Sequence, residues 1–295
     1  MKDLFAVIVT YHPQLINLKK LIVALREQGV SPVIVDNGTL KQDSLSEIEN
    51  IAYVINLGDN MGIAFAQNKG ISYCKSKNAK AIIFFDQDSE IKAEFIESLV
   101  NDYNDLIAGG DKVAVIGPTF IDSRYGFYYK QIRLNKFGIR KKVDPAHFSK
   151  PFEATIIISS GSYIPVKVLD DVGFMDEDFF IDYVDTEWCL RAISKGYKIF
   201  VSTNAVMEHA IGDKMINIGG LHVPVHSPIR RYYRIRNAIL FSKLSHIPMM
   251  LKIRDNFMNI VHQLLLILTQ KHKLLNARTM YKGIKDGFVG KVGKG

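Results

Sequence analysis

Short apolar runs alternate with segments of helical periodicity through the first half of the chain. The runs read LFAVIV, SPVIVDNG, YVINL, AKAIIFFDQD and KVAVIGP in that order, and they are rich in β-branched and aromatic residues. The segments between them include GIAFAQNKGISYCKSK and IKAEFIESLVNDYNDLI, whose apolar residues recur on one helix face. Strands that alternate with helices in this way predict an α/β fold with a mixed, mostly parallel sheet flanked by helices.

The second half of the chain is less regular. The stretch RYGFYYKQIRLNKFGIRKK is aromatic and basic and predicts a β-hairpin, and ATIIISSGSYIP predicts a strand with a Gly-Ser turn. From Pro228 onward the pattern is helical and basic. We therefore expect residues 1–225 to form the α/β part, with halves at about 1–118 and 119–225, and residues 226–295 to form a helical C-terminal extension.

Composition adds a preference for anionic partners. The 38 Lys and Arg residues outnumber the 30 Asp and Glu residues, which gives a net charge of +8. A basic balance favours nucleic acid, a membrane surface or a phosphorylated substrate. Because no recognition helix or RNP-like signature accompanies the aromatic, basic stretch, we expect no nucleic-acid binding.

The sequence predicts neither export nor a membrane span. The N-terminal segment MKDLFAVIVTYHP has a short apolar run without a small-residue cleavage site. The longest later run, LLLIL, is far below the ~20 residues that cross a bilayer. Cys74 and Cys189 form neither a ligand pair nor a disulfide framework. We expect a cytoplasmic protein that is at most attached to the inner face of the cell membrane.

Two carboxylates, Asp86 and Asp88, follow the buried-looking run IIFF. On an extended strand, residues two apart project from the same face, and two carboxylates held there repel unless a cation lies between them or one is protonated. Hard divalent ions such as Mg²⁺ and Mn²⁺ bind carboxylate oxygens and keep positions open for substrate phosphates. The pattern therefore predicts a metal and diphosphate site, and the alternative is a solvated turn with Gln87 buried.

Polar residues also follow two other predicted strands, at Thr10-Tyr11 and at Asp36-Asn37. Ligands of open α/β sheets bind at the carboxyl ends of the parallel strands, so we expect these side chains and Asp86 to meet at one edge. Each of them can also serve as an ordinary turn former.

A second acidic cluster lies in FMDEDFFIDYVDTEWCLRA, where Asp185 precedes a helical pattern that ends at Lys195-Gly196. Asp is a preferred helix N-cap, so a purely structural role is one interpretation. Nearby acids, Asp182 and Glu187, and apolar neighbours disfavour the ionised form and are expected to raise the pKa of Asp185. A carboxylate poised in this way can act as a general base toward an attacking hydroxyl.

These segments together resemble the family-two glycosyltransferases with a Rossmann-like GT-A fold, and among them the rhamnosyltransferases of bacterial surface polysaccharides. The resemblance spans roughly the first 240 residues and rests on VIVTYHP, VDNG, NLGDNMGIAFAQNKGI, FFDQDS, SSGSYIPVKVLDDVGFMDEDFFIDYVDTEWCLRA, MEHAIGD and HSPIRRYYRIRN. It implies an inverting, metal-dependent enzyme that transfers L-rhamnose from dTDP-L-rhamnose to a lipid-diphosphate-linked glycan, as in O-antigen biosynthesis. Another donor, such as UDP-galactose or UDP-N-acetylglucosamine, is the alternative within the family, and a non-enzymatic lipid- or polyanion-binding protein is the alternative outside it.

The resemblance also implies a role for each matched residue. Nucleotide or donor contacts are implied for Thr10, Tyr11, Asp36, Asn60, Gly62, Asn68, Asp86, Arg230, Arg231 and Arg236. Asp88, with Asp86 and His209, would hold Mg²⁺ or Mn²⁺. Gly161 and Ser162 match an acceptor-side turn, and Trp188 is either a wall of the acceptor site or part of the core. Asp185 aligns with the catalytic base, and residues 1–118 and 119–225 with the nucleotide-sugar and acceptor halves of the catalytic domain.

Two departures from the family pattern leave questions open. Relatives often have two adjacent acids before the helix, whereas Val184 precedes Asp185 here, which leaves Asp182 as an alternative base. Gln87 separates the two acids of the metal triplet, and this change is expected to lower the metal affinity rather than remove a ligand.

The basic, amphipathic C-terminal helices either attach to an anionic membrane surface, pack on the catalytic domain or form a homodimer.

Overall fold

The computed structural model describes residues 3–122, 126–208, 214–218 and 221–295, and it describes 214–218 and 221–224 by their backbone. The strands are β1 (Leu4–Thr10), β2 (Ser31–Asp36), β3 (Tyr53–Asn56), β4 (Ala81–Asp86), β5 (Val113–Asp122), β6 (Phe127–Tyr128), β7 (Gln131–Leu134), β8 (Arg140–Val143), β9 (Phe152–Ala154), β10 (Tyr163–Pro165), β11 (Lys198–Glu208), β12 (Lys214–Ile218) and β13 (Leu221–Val225). The helices are α1 (Leu15–Glu27), α2 (Gln42–Glu49), α3 (Ile63–Ser76), α4 (Phe95–Ala108), α5 (Val166–Val172), α6 (Val184–Ser194), α7 (Pro228–Lys243), α8 (Met249–Thr269) and α9 (Lys273–Val289), with a 3₁₀ turn at Pro145–His147.

The central sheet of the described chain has the strand order β3-β2-β1-β4-β10-β5-β11-β9, with β6 paired to β5. Strands β3, β2, β1 and β4 are mutually parallel, and β11 is parallel to β5. Only β10 and β9 on this path, and β6 beside it, run antiparallel to their neighbours. The predicted α/β fold with a mixed, mostly parallel sheet flanked by helices is confirmed.

Both faces of the sheet are buried, which explains why its strands are continuously apolar. In β1, Leu4, Ala6 and Ile8 belong to one core cluster, whereas Phe5 and Val7 belong to the other. Burying a large aliphatic or aromatic side chain contributes about 1.5–3 kcal/mol. The two clusters therefore fix β1, β2 and β4 in the middle of the molecule and leave their carboxyl ends as a common edge.

The predicted β-hairpin forms between β7 and β8, where Gln131–Leu134 pairs antiparallel with Arg140–Val143. The apolar run after it is not a continuous strand, because β9 ends at Ala154 and β10 begins only at Tyr163. Helix α2 was not predicted. It is short and polar, and only its Leu45 and Ile48 are buried, so its hydrophobic pattern is weak.

The three C-terminal helices pack against one another and against the sheet-containing part of the chain. Helix α7 begins at an N-cap Ser227, whose hydroxyl accepts a hydrogen bond from the Arg230 amide, with Pro228 at the first helical position. Leu240 and Phe241 of α7 and Leu251 of α8 join the larger core cluster. Within the described residues, no helix is both long and apolar enough to cross a membrane.

Candidate active site

The carboxyl ends of β1, β2 and β4 bring three of the predicted site residues side by side. In the parallel register, Thr10 faces Asp36 across one pair of strands, and Val9 faces Asp86 across the other. The predicted meeting of the strand exits at one edge of the sheet is confirmed.

The buried side chain of Asp36 stabilises the turn that follows β2. Its carboxylate is fully buried and accepts hydrogen bonds from the Thr10 hydroxyl at 2.9 Å, the Thr39 amide at 2.7 Å and the Leu40 amide at 3.1 Å. Thr10 is equally buried. This pair holds the β1 and β2 exits together, while the adjacent Tyr11 side chain is 48% exposed.

Gln87 joins the β4 exit to the β1 exit. Its side-chain oxygen accepts a hydrogen bond from the Tyr11 amide at 2.7 Å, and its side-chain nitrogen donates to the Tyr11 carbonyl at 3.1 Å. An acidic or apolar side chain cannot make both bonds, because one requires an acceptor and the other a donor. The glutamine between Asp86 and Asp88 therefore has a structural function that the sequence did not indicate.

The segment from Asn60 to Gly62 forms a tight loop at the start of α3. The Asn60 side chain accepts a hydrogen bond from the Gly62 amide at 3.0 Å, and Asn37 contacts the same loop through the Met61 amide at 3.0 Å. Gly62 has φ of +90°, and a Cβ there would lie 2.5 Å from the Phe180 carbonyl oxygen. Only glycine fits this close approach between the loop and the segment before α6.

Asn68 fastens the same helix to the chain before α6. Its amide group donates to the Met175 carbonyl at 2.9 Å and accepts from the Met175 amide at 3.0 Å, and it also donates to Glu177 at 2.7 Å. Asn68 is buried, so it contributes to the site by positioning these segments.

The two acids of the DQD triplet do not both lie on a strand. Strand β4 ends at Asp86, and Gln87 and Asp88 form a turn that is closed by the Ser89 amide donating to the Asp86 carbonyl at 3.1 Å. The expectation of a shared strand face is therefore wrong for Asp88. Both acids are nevertheless exposed and close enough for the Asp88 charge to raise the pKa of Asp86.

Asp185 lies in the first turn of α6 and is not its N-cap, a position that Tyr183 occupies. Its carboxylate instead accepts hydrogen bonds from the Ser159 amide at 3.2 Å and from the Ser159 hydroxyl. Ser159 belongs to the turn at 159–162, in which the Gly161 amide donates to the Phe84 carbonyl at 2.7 Å. This turn, which includes the predicted Gly161 and Ser162, places Asp185 opposite the end of β4.

Asp182 and Tyr183 adopt two consecutive left-handed backbone conformations, with φ of +62° and +68°. Non-glycine residues adopt this conformation at an energetic cost, and such residues cluster at functional sites. Asn237 of α7 donates to the Ile181 carbonyl at 2.7 Å and to the Asp182 carbonyl at 3.3 Å, and Asn259 of α8 donates to the Tyr183 hydroxyl at 2.9 Å. Helices α7 and α8 therefore hold the strained turn that precedes the catalytic candidate.

Asp182 forms ion pairs with two arginines of α7. Its carboxylate accepts from Arg230 Nε at 3.3 Å and from Arg234 Nη1 at 3.3 Å. The two arginines are one helical turn apart and share a face of α7. We call Arg230, Asp182 and Arg234 the Asp182 triad.

One cleft of about 880 Å³ connects these groups. The cleft is lined by Asp86, Ser159, Ser160, Asp182, Asp185, Arg230 and Arg234. It is also lined by residues of the hairpin and of α8 that the sequence did not indicate, among them Ile132, Arg140, Arg254, Asp255, Met258 and His262. Asp86 of the first acidic cluster therefore faces one shared cavity with Asp182 and Asp185 of the second, and Asp88 is not among the residues that line it.

The cleft raises the pKa of both facing carboxylates. Desolvation by the surrounding protein and then the Asp88 charge raise the pKa of Asp86 to about 6, while Ser160 and Arg230 oppose the shift. Burial raises the pKa of Asp185 to about 6, against the hydrogen bonds from Ser159. The predicted direction for Asp185 is confirmed, but the acidic neighbours are Asp86 and Asp182 rather than Glu187.

Glu187 points away from this site. It is 1% exposed and forms two hydrogen bonds of 2.8 Å with Arg191, and His246 lies 3.0 Å from its carboxylate. Trp188 is also in the core, with its indole nitrogen donating to the Gly173 carbonyl at 2.8 Å. Of the two interpretations of Trp188, the structure supports the core.

Arg231 and Arg236, for which the resemblance implied contacts with the donor, instead form hydrogen bonds inside the protein. Arg231 is fully buried and donates to Gln263 at 2.9 Å and to the Asn259 carbonyl at 3.0 Å. Arg236 is also fully buried and donates to the carbonyls of Gly293 at 2.6 Å and Asp178 at 3.2 Å. The side chain of Arg234, which was not assigned, lines the cleft instead.

The proposed metal set is described only in part, because His209 lies outside the described residues. Across the described residues, no cluster of three or more His, Cys, Asp or Glu side chains is arranged to hold a metal ion. The remaining candidate ligands are Asp86 and Asp88.

The fold is similar to that of GT-A glycosyltransferases of known structure. The chain superposes on the structure of GalNAc-T7 with UDP, GalNAc and Mn²⁺, at a TM-score of 0.58 and 14% identity, over 92% of this chain and 58% of that chain. It also superposes on residues 1–349 of S. aureus TarS in complex with UDP-GlcNAc, at a TM-score of 0.56 and 13% identity, over 98% of this chain and 81% of that chain. At these identities the likeness concerns the fold alone.

Sequence comparison defines the family. Residues 6–173 match the profile described as Glycosyl transferase family 2. A protein of Shigella flexneri named dTDP-rhamnosyl transferase RfbF is 44% identical over 295 residues, which cover 99% of this chain and 98% of that protein. The chain belongs to glycosyl transferase family 2 and is a glycosyltransferase, which excludes the non-enzymatic alternative.

Proposed function

We propose that the protein is an inverting, metal-dependent rhamnosyltransferase that moves L-rhamnose from dTDP-L-rhamnose to a lipid-diphosphate-linked glycan in surface polysaccharide biosynthesis, such as that of O-antigen. The observation that carries this proposal is the single cleft in which Asp86 and the Asp182 triad face Asp185. The choice of rhamnose is supported by the 44% identical relative, whose name specifies dTDP-rhamnosyl transfer.

The part of the cleft that is lined by Asp86 and the Asp182 triad, which we call the donor end, fits a nucleoside diphosphate with a divalent cation. Asp86 and Asp88 supply hard oxygen ligands, and Mg²⁺ typically uses one or two carboxylates together with water and substrate phosphates. Such an ion would offset the negative charge that develops on the departing diphosphate. Arg230 and Arg234 line the cleft together with Asp86, so their guanidinium groups can help to stabilise the same phosphates.

Asp185 is the proposed general base. The acceptor hydroxyl oxygen would bond to the anomeric carbon while its proton passes to the Asp185 carboxylate, and the bond from that carbon to the diphosphate breaks with its electron pair on the diphosphate oxygen. A base opposite the leaving group gives a single displacement with inversion. Ser159 positions the carboxylate through its amide and hydroxyl.

Asp182 is a weaker candidate for the base than Asp185. Its two carboxylate oxygens bond to Arg230 and Arg234, so Asp182 already serves as the partner of these arginines. The Asp185 carboxylate instead bonds to the neutral Ser159. We therefore propose that Asp182 positions the two arginines at the donor end.

The loss of activity on the acid side of the pH–rate profile should reflect protonation of Asp185. Because the base form is required and the pKa of Asp185 is raised to about 6, kcat/KM should fall about tenfold per pH unit below this value. Ser159→Ala removes a hydrogen bond that lowers this pKa, so the acid limb should move to higher pH. Saturating Mn²⁺ should keep Asp86 ionised and separate its titration from that of Asp185. An unchanged limb in Ser159→Ala would contradict the assignment.

Gln87 should affect donor binding by ordering the β1 exit. Gln87→Leu removes both hydrogen bonds to Tyr11, and because each such bond contributes about 0.5–1.5 kcal/mol, the free energy of unfolding should fall modestly. We expect the KM for the donor to rise about tenfold with a smaller change in kcat, if ordering of this turn is worth about 1.4 kcal/mol to binding. Gln42→Leu on the exposed side of α2 is the matched control. Equal donor KM values for the two variants would disprove this function of Gln87.

The donor itself is tested with a panel of nucleotide sugars. dTDP-L-rhamnose should support hydrolysis or transfer, and UDP-galactose and UDP-N-acetylglucosamine should be poor substrates. Preference for a UDP-sugar would replace the rhamnosyl assignment with the alternative within the family. Configuration at the new linkage, read by NMR, tests inversion.

We also propose that residues 1–225 form the catalytic domain, with donor and acceptor halves at about 1–118 and 119–225, and that residues 226–295 support it. Apolar side chains on α8 and α9 are exposed together with many lysines, for example Phe257 at 64% and Phe288 at 72%. This surface suits peripheral attachment to the inner membrane face in the cytoplasm or contact with a second copy of the chain. Vesicle flotation and sedimentation of Phe257→Gln and Phe288→Gln variants distinguish the two, and no change in either assay would exclude both.

A further inference from the structure

The lining of the cleft contains a second cluster of two arginines around one aspartate. Asp255 of α8 is 5% exposed, and its carboxylate accepts from Arg140 Nη2 at 2.9 Å and from Arg254 Nη1 at 3.0 Å. All three residues line the same cleft as Asp185. We call this cluster the Asp255 triad. It repeats the composition of the Asp182 triad with residues from the hairpin and from α8.

The Asp255 triad has one more positive charge than negative charge. Arg140 comes from β8 and is half-buried, and its Nε atom is buried without a hydrogen-bond partner in the described part of the structure. Burial lowers the pKa of Arg140, and the nearby charges of Arg254 and Arg234 lower it further, against the effect of Asp255. A surplus guanidinium in a partly desolvated cleft is costly unless an anion neutralises it.

An apolar wall adjoins this surplus charge. Ile132, Ile156, Ile158, Met258 and Leu265 line the same cleft. Ile158 and Met258 are 42% and 46% exposed, so the wall opens to the surface. Along α8 the apolar surface continues with Phe257, Leu264 and Leu268, which are 64%, 45% and 70% exposed. Positive charge next to an open apolar wall is complementary to an anion that carries an apolar chain.

We propose that the Asp255 triad and this wall form the acceptor subsite, in which Arg140 and Arg254 bind the diphosphate of a lipid diphosphate and α8 binds the start of its apolar chain. The inference rests on the proposed function and assigns residues to its acceptor side. In this proposal the Asp182 triad binds the donor diphosphate and the Asp255 triad binds the acceptor diphosphate. The acceptor sugar would then reach Asp185, which lines the same cleft.

The test uses farnesyl diphosphate below its aggregation concentration as the lipid diphosphate and titrates it calorimetrically into the full chain. Saturating dTDP and Mg²⁺ are present to occupy the donor end. We expect one farnesyl diphosphate to bind per chain under these conditions, inorganic diphosphate to bind more weakly, and farnesol to bind the weakest. Separate titrations with dTDP alone establish whether the donor end functions, so failure of the proposed function is seen independently.

Three variants localise the binding. The Arg254 side chain is 42% exposed, so its replacement should be tolerated. Arg254→Gln should lower the affinity for farnesyl diphosphate about tenfold, because a charge-assisted hydrogen bond is lost. Met258→Gln should lower the affinity for farnesyl diphosphate but leave the affinity for inorganic diphosphate unchanged. Arg278→Gln, on an exposed position of α9, is the matched control and should have no effect. All three should bind dTDP as the unmodified chain does.

Three results would overturn the inference. Farnesyl diphosphate that is displaced completely by dTDP would be binding at the donor end. Equal affinities for farnesol and farnesyl diphosphate would show that the anion is not recognised. An Arg254→Gln variant with unchanged affinity for farnesyl diphosphate would show that the Asp255 triad does not bind it.

Discussion

Asp185→Asn should lower the rate of sugar transfer by a factor of ~10²–10⁴, the range for loss of general-base catalysis. Asparagine keeps the size of the side chain, and its oxygen can still accept a hydrogen bond from the Ser159 amide, but it cannot take the proton of the attacking hydroxyl. The pKa of Asp185 is raised to about 6 in the folded protein, so its charged form is disfavoured by folding at neutral pH. The free energy of unfolding should therefore be unchanged or slightly higher in the variant.

The measurement is single-turnover transfer at saturating donor, together with chemical denaturation of each variant. Asp182→Asn is the informative comparison, because the proposed role of Asp182 predicts a rise in donor KM as Arg230 and Arg234 lose their partner. Asp105→Asn, at an exposed position of α4, is the neutral control. If Asp185→Asn keeps normal turnover while Asp182→Asn loses it, the base is Asp182.

Asp88→Asn should weaken metal-dependent donor binding and lower transfer by ~10²-fold, because charge stabilisation by a bound divalent ion is worth several kcal/mol. Asp88 is exposed in a turn, and surface substitutions usually change stability by less than about 0.5 kcal/mol. The loss should therefore be seen in function and not in folding.

Titration of Mn²⁺ in the presence of dTDP, followed by the electron paramagnetic resonance of the free ion, measures this effect directly. Asp105→Asn again serves as the control. Higher Mn²⁺ concentration should partly restore transfer in Asp88→Asn, since a weakened ligand set is still occupied at sufficient concentration. Unchanged Mn²⁺ and dTDP affinities would remove Asp88 from the metal site.

Some site residues could be predicted from the sequence because they lie at the ends of strands with a strong hydrophobic pattern. Thr10, Asp36 and Asp86 are examples, since parallel strands place their exits at one edge whatever the details of packing. The position of Asp88 was less predictable, because the strand ends at Asp86 and the local turn decides where the next carboxylate points.

Other residues could not be assigned from the sequence because their function depends on contacts with distant segments. Asp is a favoured N-cap residue, so the sequence suggested that Asp185 caps α6. In the structure the N-cap is Tyr183, in a left-handed conformation, and the Asp185 carboxylate accepts a hydrogen bond from the Ser159 amide. The basic block of α7 is uniform in sequence, but packing against α8 and α9 buries Arg231 and Arg236 and leaves Arg230 and Arg234 in the cleft. Side-chain burial in such a helix is set by its partners and not by its own pattern.

The sequence by itself determined the α/β class, the succession of strands and helices along the first half of the chain, the two acidic clusters and the family, because periodicity and local motifs are properties of short stretches of chain. Only the tertiary structure decided that Asp86 shares one cleft with Asp182 and Asp185, that Gln87 joins two strand exits, and that α8 adds Arg254 and Asp255 to the lining of this cleft. These facts join residues as far apart as Arg140 and Asp255, and such pairings arise only when the whole chain has packed.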